Sequence, residues 1–434
     1  MNMRLHPYQY AVLILFVVKA IFLASLVAKV PDIFVYGDGN EYKERAETLW
    51  RVGAFGKMRE DGSVFDDAYR LPGYPVFLAL SRFTYSPVHV PIWSAVQLVL
   101  FHIWLLIVGS WIARRHGMCS ATYFVVALSL TLPWLHYVTA IHSDFQFAVL
   151  VFSGALMLVS ASETAGRRRA TLAGAILCLG SASLTRPDLI FFPFWLLGFW
   201  VALVLWNART ACVSDRLAAL PSFVVALGTF CFMAAWTLRN FAVTGRFTYT
   251  SFVDTAIELF AGHADSASQG AGSGLRVVKI VQLIILSAEK VVSNSVSALA
   301  QLFFNPSRWY LHFYMDGLGV ELSSSGVPLS EIGFWSLPPL EHVYIVMGIL
   351  VPLAIFAVFI RFAHQLVTGQ AVIAWPLAAL ILWMAAYFVL QKVVWGALTP
   401  GSGQRYAMSI LPFAIFLGSL TFSDRRSKIY PEKT

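Results

Sequence analysis

The sequence predicts an all-α polytopic membrane protein, and three observations carry that expectation. The first is composition: 58% of the 434 residues are hydrophobic and 15% aromatic, with 14 Trp, and the mean hydropathy is +0.69. A soluble domain cannot bury that much apolar surface, whereas several bilayer-spanning helices require it. The second is spacing. Apolar runs fall at 9–30, 91–112, 120–138, 145–161, 170–184, 189–206, 217–236, 340–361, 373–391 and 406–422, which gives about ten transmembrane helices. The third is the placement of basic residues. Arg4, Arg114 with Arg115, Arg167 to Arg169, Arg209 with Arg216, Arg361, and Arg425 with Arg426 and Lys428 fall on alternate sides of successive runs. Lys/Arg-rich short loops mark the cytoplasmic face, so both termini are expected inside and the protein in a cytoplasmic (bacterial inner) membrane.

The formal charge of +8 would suit an acidic partner if it formed one patch. Spread over separate loops it is a topological signal, and no nucleic-acid partner is expected. Cys119, Cys178, Cys212 and Cys231 lie in or near apolar runs without ligand spacing, so neither a zinc site nor a disulfide framework is read.

Taken in order, the run at 10–30 is long enough to span and reads as a retained first helix rather than a cleaved signal. Residues 31–90 form the first outer loop, rich in charge in a chain that is only 12% charged. Asp38 with Glu41 fits a capping box, and Gly53 closes the helix they open. Tyr42, Ala46, Leu49 and Val52 share one face of it, while Lys43, Glu44, Arg45 and Glu47 take the rest. Such a juxtamembrane helix lies along the bilayer surface with its apolar stripe down. A polar turn then leads to Arg70-Leu-Pro-Gly-Tyr-Pro75.

The other segments assigned to the outside are 136–144, 185–188, a long stretch at 237–339, and 391–405. Within the long stretch, 275–304 is amphipathic and reads equally as a surface helix or an imperfect span. The Gly/Ser/Ala-rich segment 262–274 reads as a mobile loop, a lid or acceptor-binding element. The whole chain, 1–434, reads as one integral membrane domain.

Ionisable groups at the ends of membrane helices are costly unless paired or bathed in water, which makes them functional candidates. The acids on the outer face are Asp38, Glu41, Asp144 and Asp188; the bases are Arg70, Arg186, Arg239 and Arg405, with His136 and His142 nearby. A carboxylate facing several guanidiniums suits transfer from a phosphorylated donor. The carboxylate takes a proton from a hydroxyl, and the arginines neutralise the departing phosphate. Each residue also has a plainer account: Asp38 as a helix cap, the arginines as interfacial snorkelling or ion-paired groups, Arg186-Pro187-Asp188 as a local ion pair, and the histidines as interfacial polar residues. No GxxxxGK[ST], HExxH, GxSxG with partners, or CxxC is present, which sets aside P-loop, zincin, serine-hydrolase and dithiol chemistry.

Read together, Gly37-Asp38-x-x-x-Tyr42, Arg70-x-Pro72-Gly73-Tyr74-Pro75, His142-Ser143-Asp144, Thr185-Arg186-Pro187, Trp236-x-x-Arg239-Asn240 and Arg405-Tyr406 resemble the GT-C glycosyltransferases. The resemblance is to the branch that includes the protein O-mannosyltransferases and the lipid A aminoarabinose transferase. It covers about residues 9–245, with a looser echo at 404–412. It implies a polyprenyl-phosphate-linked sugar as donor, membrane lipids around it, and a glycan, lipid or protein acceptor presenting a hydroxyl or amine on the periplasmic side. By that similarity Asp38 is the general base of an inverting displacement, and Asp144 is a second acid that assists it, orients the acceptor or helps hold a metal. Arg70 meets the lipid phosphate, Arg405 is a second phosphate partner, and Tyr42, Glu41, Arg186, Arg239 and Tyr406 belong to the substrate site.

The chain departs from the family in lacking a large soluble C-terminal domain and in having fewer spans than its longest members. No metal or other cofactor is expected, because the arginines can supply the charge stabilisation that a cation would give. The alternatives are a transporter or flippase of a lipid-linked sugar, favoured by inverted repeats or mid-bilayer charges, and a glycan polymerase or ligase. The charges read from the sequence cluster at one face.

Overall fold

The computed structural model describes residues 5–29, 38–81, 89–131, 137–163, 168–210, 213–251, 339–368, 375–398 and 403–423, together with Val35 and Trp134. The expectations for His136, for 252–338 (with the 262–274 loop and the 275–304 segment) and for the two ends of the chain lie outside the described residues.

Each of the ten apolar runs coincides with a helix. They are α1 (Pro7–Lys29), α4 (His89–His116), α5 (Met118–Leu130), α6 (Ser143–Glu163), α7 (Arg168–Ser183), α8 (Phe192–Thr210), α9 (Val213–Thr244), α10 (Pro339–Val367), α11 (Trp375–Leu398) and α12 (Gly403–Ser419). Between α1 and α4 lie α2 (Asp38–Val52), a β1–β2 hairpin (Gly56–Met58 and Val64–Asp66) and α3 (Gly73–Ser81). Among the described residues, six helices are long and apolar enough to cross a membrane. The protein is an all-α polytopic membrane protein.

The run at 120–138 is broken after Leu130, where Thr131 turns to an extended backbone, and Trp134 and Tyr137 are helical again beyond the break. Leu132 precedes Pro133 in the sequence, and a residue before proline is disfavoured in the helical region. At 13 residues α5 is about 20 Å long, short of the roughly 30 Å hydrocarbon core. The polar turn expected after Gly53 contains the hairpin, in antiparallel register with Gly56 opposite Asp66 and Met58 opposite Val64.

Helices α6 and α7 pack side by side. Helix α9 lies against α7 and α8, and α12 sits among α5, α6, α10 and α11. The centre is aromatic: Trp134 stacks parallel to Trp104 at 5.6 Å and on Phe101 at 5.2 Å. The Trp104 indole N–H finds Ser153 Oγ at 2.9 Å, so its polar edge is satisfied inside the bundle. Outward on α1, Leu13, Ile14, Val17, Val18 and Ile21 are exposed, as lipid-facing residues are expected to be.

Candidate active site

The segment 38–81 folds back onto one end of the bundle. Helix α2 starts at Asp38 and ends where Gly53 takes φ 72°. Its first turn lies so close to the segment before α6 that a Cβ at Gly39 would fall 2.6 Å from the Ile141 carbonyl oxygen. Tyr42, one turn further, is buried and shares a 2.9 Å hydrogen bond with Ser143 Oγ at the start of α6. The Arg70-Leu-Pro-Gly-Tyr-Pro75 turn docks in the same way on the end of α7. The Gly73 N–H donates to the Leu184 carbonyl at 2.7 Å, and a Cβ there would fall 2.5 Å from Thr185 Oγ1. Only a residue without a side chain permits that approach.

Two charged clusters result. In the first, Arg70 Nη2 donates to Asp38 Oδ1 at 2.8 Å and Arg70 Nε to Glu41 Oε2 at 2.7 Å. The guanidinium also lies over the rings of Tyr69 and Tyr42, at 4.9 and 5.5 Å. Burial works against the Arg70 charge, but the facing Tyr42, Asp38 and Glu41 outweigh it and hold the guanidinium protonated well above its ordinary range. Asp38 and Glu41 retain 25% and 34% of their side-chain exposure, so both carboxylates remain within reach of a solute.

The second cluster is sealed. Arg186 Nε donates to Asp188 Oδ2 at 2.5 Å and Arg186 Nη1 to Asp144 Oδ1, over the face of Phe147. His142 Nδ1 stands 3.8 Å from Asp144 Oδ2. Asp144 is only 1% exposed, and Tyr387 from α11 donates to the Asp188 carbonyl at 2.6 Å. The Arg186–Asp188 pair expected from the sequence is present, and Asp144 joins it. The two clusters are neighbours through Tyr42–Ser143 and through Gly73 beside Thr185-Arg186. Among the described residues no group of three or more His, Cys, Asp or Glu is placed to hold a metal ion.

Arg239 falls elsewhere. From α9 it donates to the backbone carbonyls of Phe55 at 3.0 Å and Asp67 at 3.2 Å, and it lies over the Trp236 ring. It ties both ends of the hairpin to the bundle. The segment after α9 completes the tether. Ser251 N–H donates to the Ala68 carbonyl at 2.9 Å and Thr250 Oγ1 to the Tyr69 carbonyl at 2.7 Å, next to Arg70. Arg405 and Tyr406 lie in the first turn of α12; their side chains fall outside the described residues.

Arg45 departs from its expected place on the solvated face of α2. It is 1% exposed and paired with Asp67, with Arg45 Nε 2.7 Å from Asp67 Oδ2. Asp67 Oδ1 in turn accepts the Tyr69 N–H at 2.5 Å, bracing the chain just before Arg70. No sequence pattern singles out this pair, because its partners belong to different elements. Lys19 was also missed. It sits midway along α1, 6% exposed, with its amine 4.7 Å from the Phe101 ring centroid beside the buried His102.

Neither a protein-family model nor a curated protein sequence matches the chain. Among solved structures the chain is similar to ArnT from Cupriavidus metallidurans in the apo state, at 16% identity and a TM-score of 0.39, over 95% of this chain and 77% of that one. A likeness of that degree assigns neither a family nor an activity.

Proposed function

We propose that the protein is a membrane glycosyltransferase that moves a sugar from a polyprenyl-phosphate-linked donor to an acceptor hydroxyl or amine on the outer side of the membrane. The observation that supports this most is the accessible Asp38–Arg70–Glu41 cluster. It sets a carboxylate that can take a proton beside a guanidinium that can hold a phosphate. In the step, Asp38 takes the proton of the acceptor O–H or N–H, and the freed lone pair bonds to the anomeric carbon from the face opposite the leaving group. The bond from that carbon to the phosphate oxygen breaks, and its electron pair stays on the polyprenyl phosphate, whose added charge Arg70 neutralises. The configuration at the anomeric carbon is inverted.

Asp38 is the better base of the two acids because the 1% exposure of Asp144 leaves an acceptor no path to it. Asp144 instead fixes Arg186 at the wall of the site, and Glu41 acts through Arg70 instead of meeting the phosphate itself. The test is Asp38→Asn, assayed with a radiolabelled polyprenyl-phosphate sugar and membrane acceptors. We expect transfer to fall by about 10²-fold or more, with folding and membrane insertion unchanged. Near-normal transfer would return Asp38 to a capping role.

One observation favours a second reading, a transporter or flippase of a lipid-linked sugar. Lys19 and His102 are buried midway along α1 and α4, where ionisable residues often mark a translocation path. Movement of labelled donor across proteoliposomes by the Asp38→Asn protein would favour that account over transfer.

A further inference from the structure

We infer that the segment 248–251, which follows α9, is a strap that sets the place of Arg70, with Tyr249 and Thr250 as positioning residues for phosphate binding. This rests on the proposed role of Arg70 as the phosphate partner, and it concerns the backbone on which that guanidinium stands. Residues 67–72 lie between β2 and α3 and belong to neither, so no regular ladder fixes their path. Arginine is a long side chain on rotatable bonds, and its fork is aimed only as well as the chain that carries it is held.

Both chain neighbours of Arg70 are held by consecutive residues of the strap. Thr250 Oγ1 donates to the Tyr69 carbonyl at 2.7 Å. Leu71 is buried in one small core with Tyr249 and with Met233 of α9, and Ile190 and Trp236 pack against that core. One residue further along, the Ser251 N–H donates to the Ala68 carbonyl, while the Tyr69 N–H donates to Asp67 Oδ1. Both polar groups of the Ala68–Tyr69 peptide are therefore paired, immediately before Arg70.

The strap is built by the Trp236-x-x-Arg239-Asn240 motif. Helix α9 stops at Thr244, and Gly245 takes φ 69°, a left-handed backbone that glycine adopts without strain. Asn240, fully buried, then donates from Nδ2 to the carbonyls of Thr248 and Tyr249, both at 3.1 Å, which folds the chain back over the helix end. On the other side the Tyr249 hydroxyl donates to the Ser183 carbonyl, one residue before the Leu184 carbonyl that receives the Gly73 N–H. Carbonyls at the end of a helix lack partners within it. The end of α7 thus offers two neighbouring acceptors, one to the strap and one to the turn that carries Arg70. Movement of the strap reaches Arg70 through Tyr69 and Leu71, so Tyr249 and Thr250 act on the donor phosphate through the guanidinium.

The test measures binding of sugar-free polyprenyl monophosphate to the purified full chain, well below its unfolding temperature. The proteins compared are wild type, Thr250→Val, Thr250→Ser, Arg70→Ala, and Arg70→Ala with Thr250→Val. Binding about fivefold weaker is expected in Thr250→Val, with wild-type binding in Thr250→Ser and no difference between Arg70→Ala and the double variant. Wild-type affinity in Thr250→Val, with Arg70→Ala still weakened, overturns the strap and leaves Arg70 as a phosphate partner. Weakening of the same size in the Arg70→Ala background overturns it too, because Thr250 then acts by another route. A loss in Thr250→Ser equal to that in Thr250→Val does the same, since the hydroxyl is then not the cause. If wild type and Arg70→Ala bind alike, or neither binds, the phosphate reading of Arg70 falls and the strap with it. Tyr249→Phe, which keeps a ring against Leu71 and gives up the donation to Ser183, repeats the comparison with Arg70→Ala should Thr250→Val fail to fold.

Discussion

Consider Arg45→Met, which keeps an apolar stem under α2 but removes the guanidinium held against Asp67. Arg45 and Asp67 are 1% and 6% exposed, so the variant leaves a carboxylate buried without its cation. It also strips the Glu41 carbonyl of a 2.9 Å donor. Breaking one side of a buried pair costs about 3–5 kcal/mol, because the remaining charge has lost its compensation. The same helix carries an internal control. Arg51 pairs with Glu47, but at 58% and 32% exposure such an i,i+4 pair contributes only about 0.3–0.5 kcal/mol.

The assay is thermal unfolding of the purified protein in detergent, for Arg45→Met, Arg51→Met, Asp67→Asn and Arg45→Met with Asp67→Asn. Asp67→Asn keeps an oxygen for the Tyr69 N–H, so the double variant should recover much of what Arg45→Met loses. Contacting partners are not additive. Because Asp67 braces the chain before Arg70, Arg45→Met should also raise the donor KM. If Arg45→Met costs no more than Arg51→Met, or if the double variant equals the sum of the singles, the buried-pair reasoning fails.

Two further outcomes test how the segment 38–81 is held against the bundle. Gly73→Ala would place a methyl 2.5 Å from Thr185 Oγ1 and 2.8 Å from the Leu184 carbonyl oxygen; an overpacking cost of about 1–3 kcal/mol is expected in thermal unfolding. A variant as stable as wild type would mean that the turn is not docked on α7. Arg239→Ala withdraws the donors from the Phe55 and Asp67 carbonyls, at about 1–3 kcal/mol for each carbonyl left unsatisfied. The expected sign is faster limited proteolysis between 53 and 70, with no rescue by Arg239→Lys, whose single ammonium cannot span both carbonyls. Unchanged cleavage would remove Arg239 from this role.

The sequence by itself determined the fold class and the element order, because the signals for them are local. A run of apolar residues of spanning length is helical in lipid for want of any other hydrogen-bond partner. The limits of α2 at Asp38 and Gly53 likewise follow from residue types at its own ends. What it left open is where charges go once the helices meet. Arg45 looked solvated because its neighbours along α2 are charged; it is buried because Asp67, on the far side of the hairpin, reaches it. Arg239 reads from the sequence as a substrate-site candidate; that it also holds the carbonyls of Phe55 and Asp67 could not be read there, because backbone groups leave no trace in residue identity. Lys19 has no flanking polar residue to announce it. Asp38 with Arg70, Tyr42 with Ser143 and Asp144 with Arg186 each join residues from separate elements. Only tertiary structure decides such pairs, since burial and electrostatic partnership depend on distances through space that periodicity along one chain does not encode.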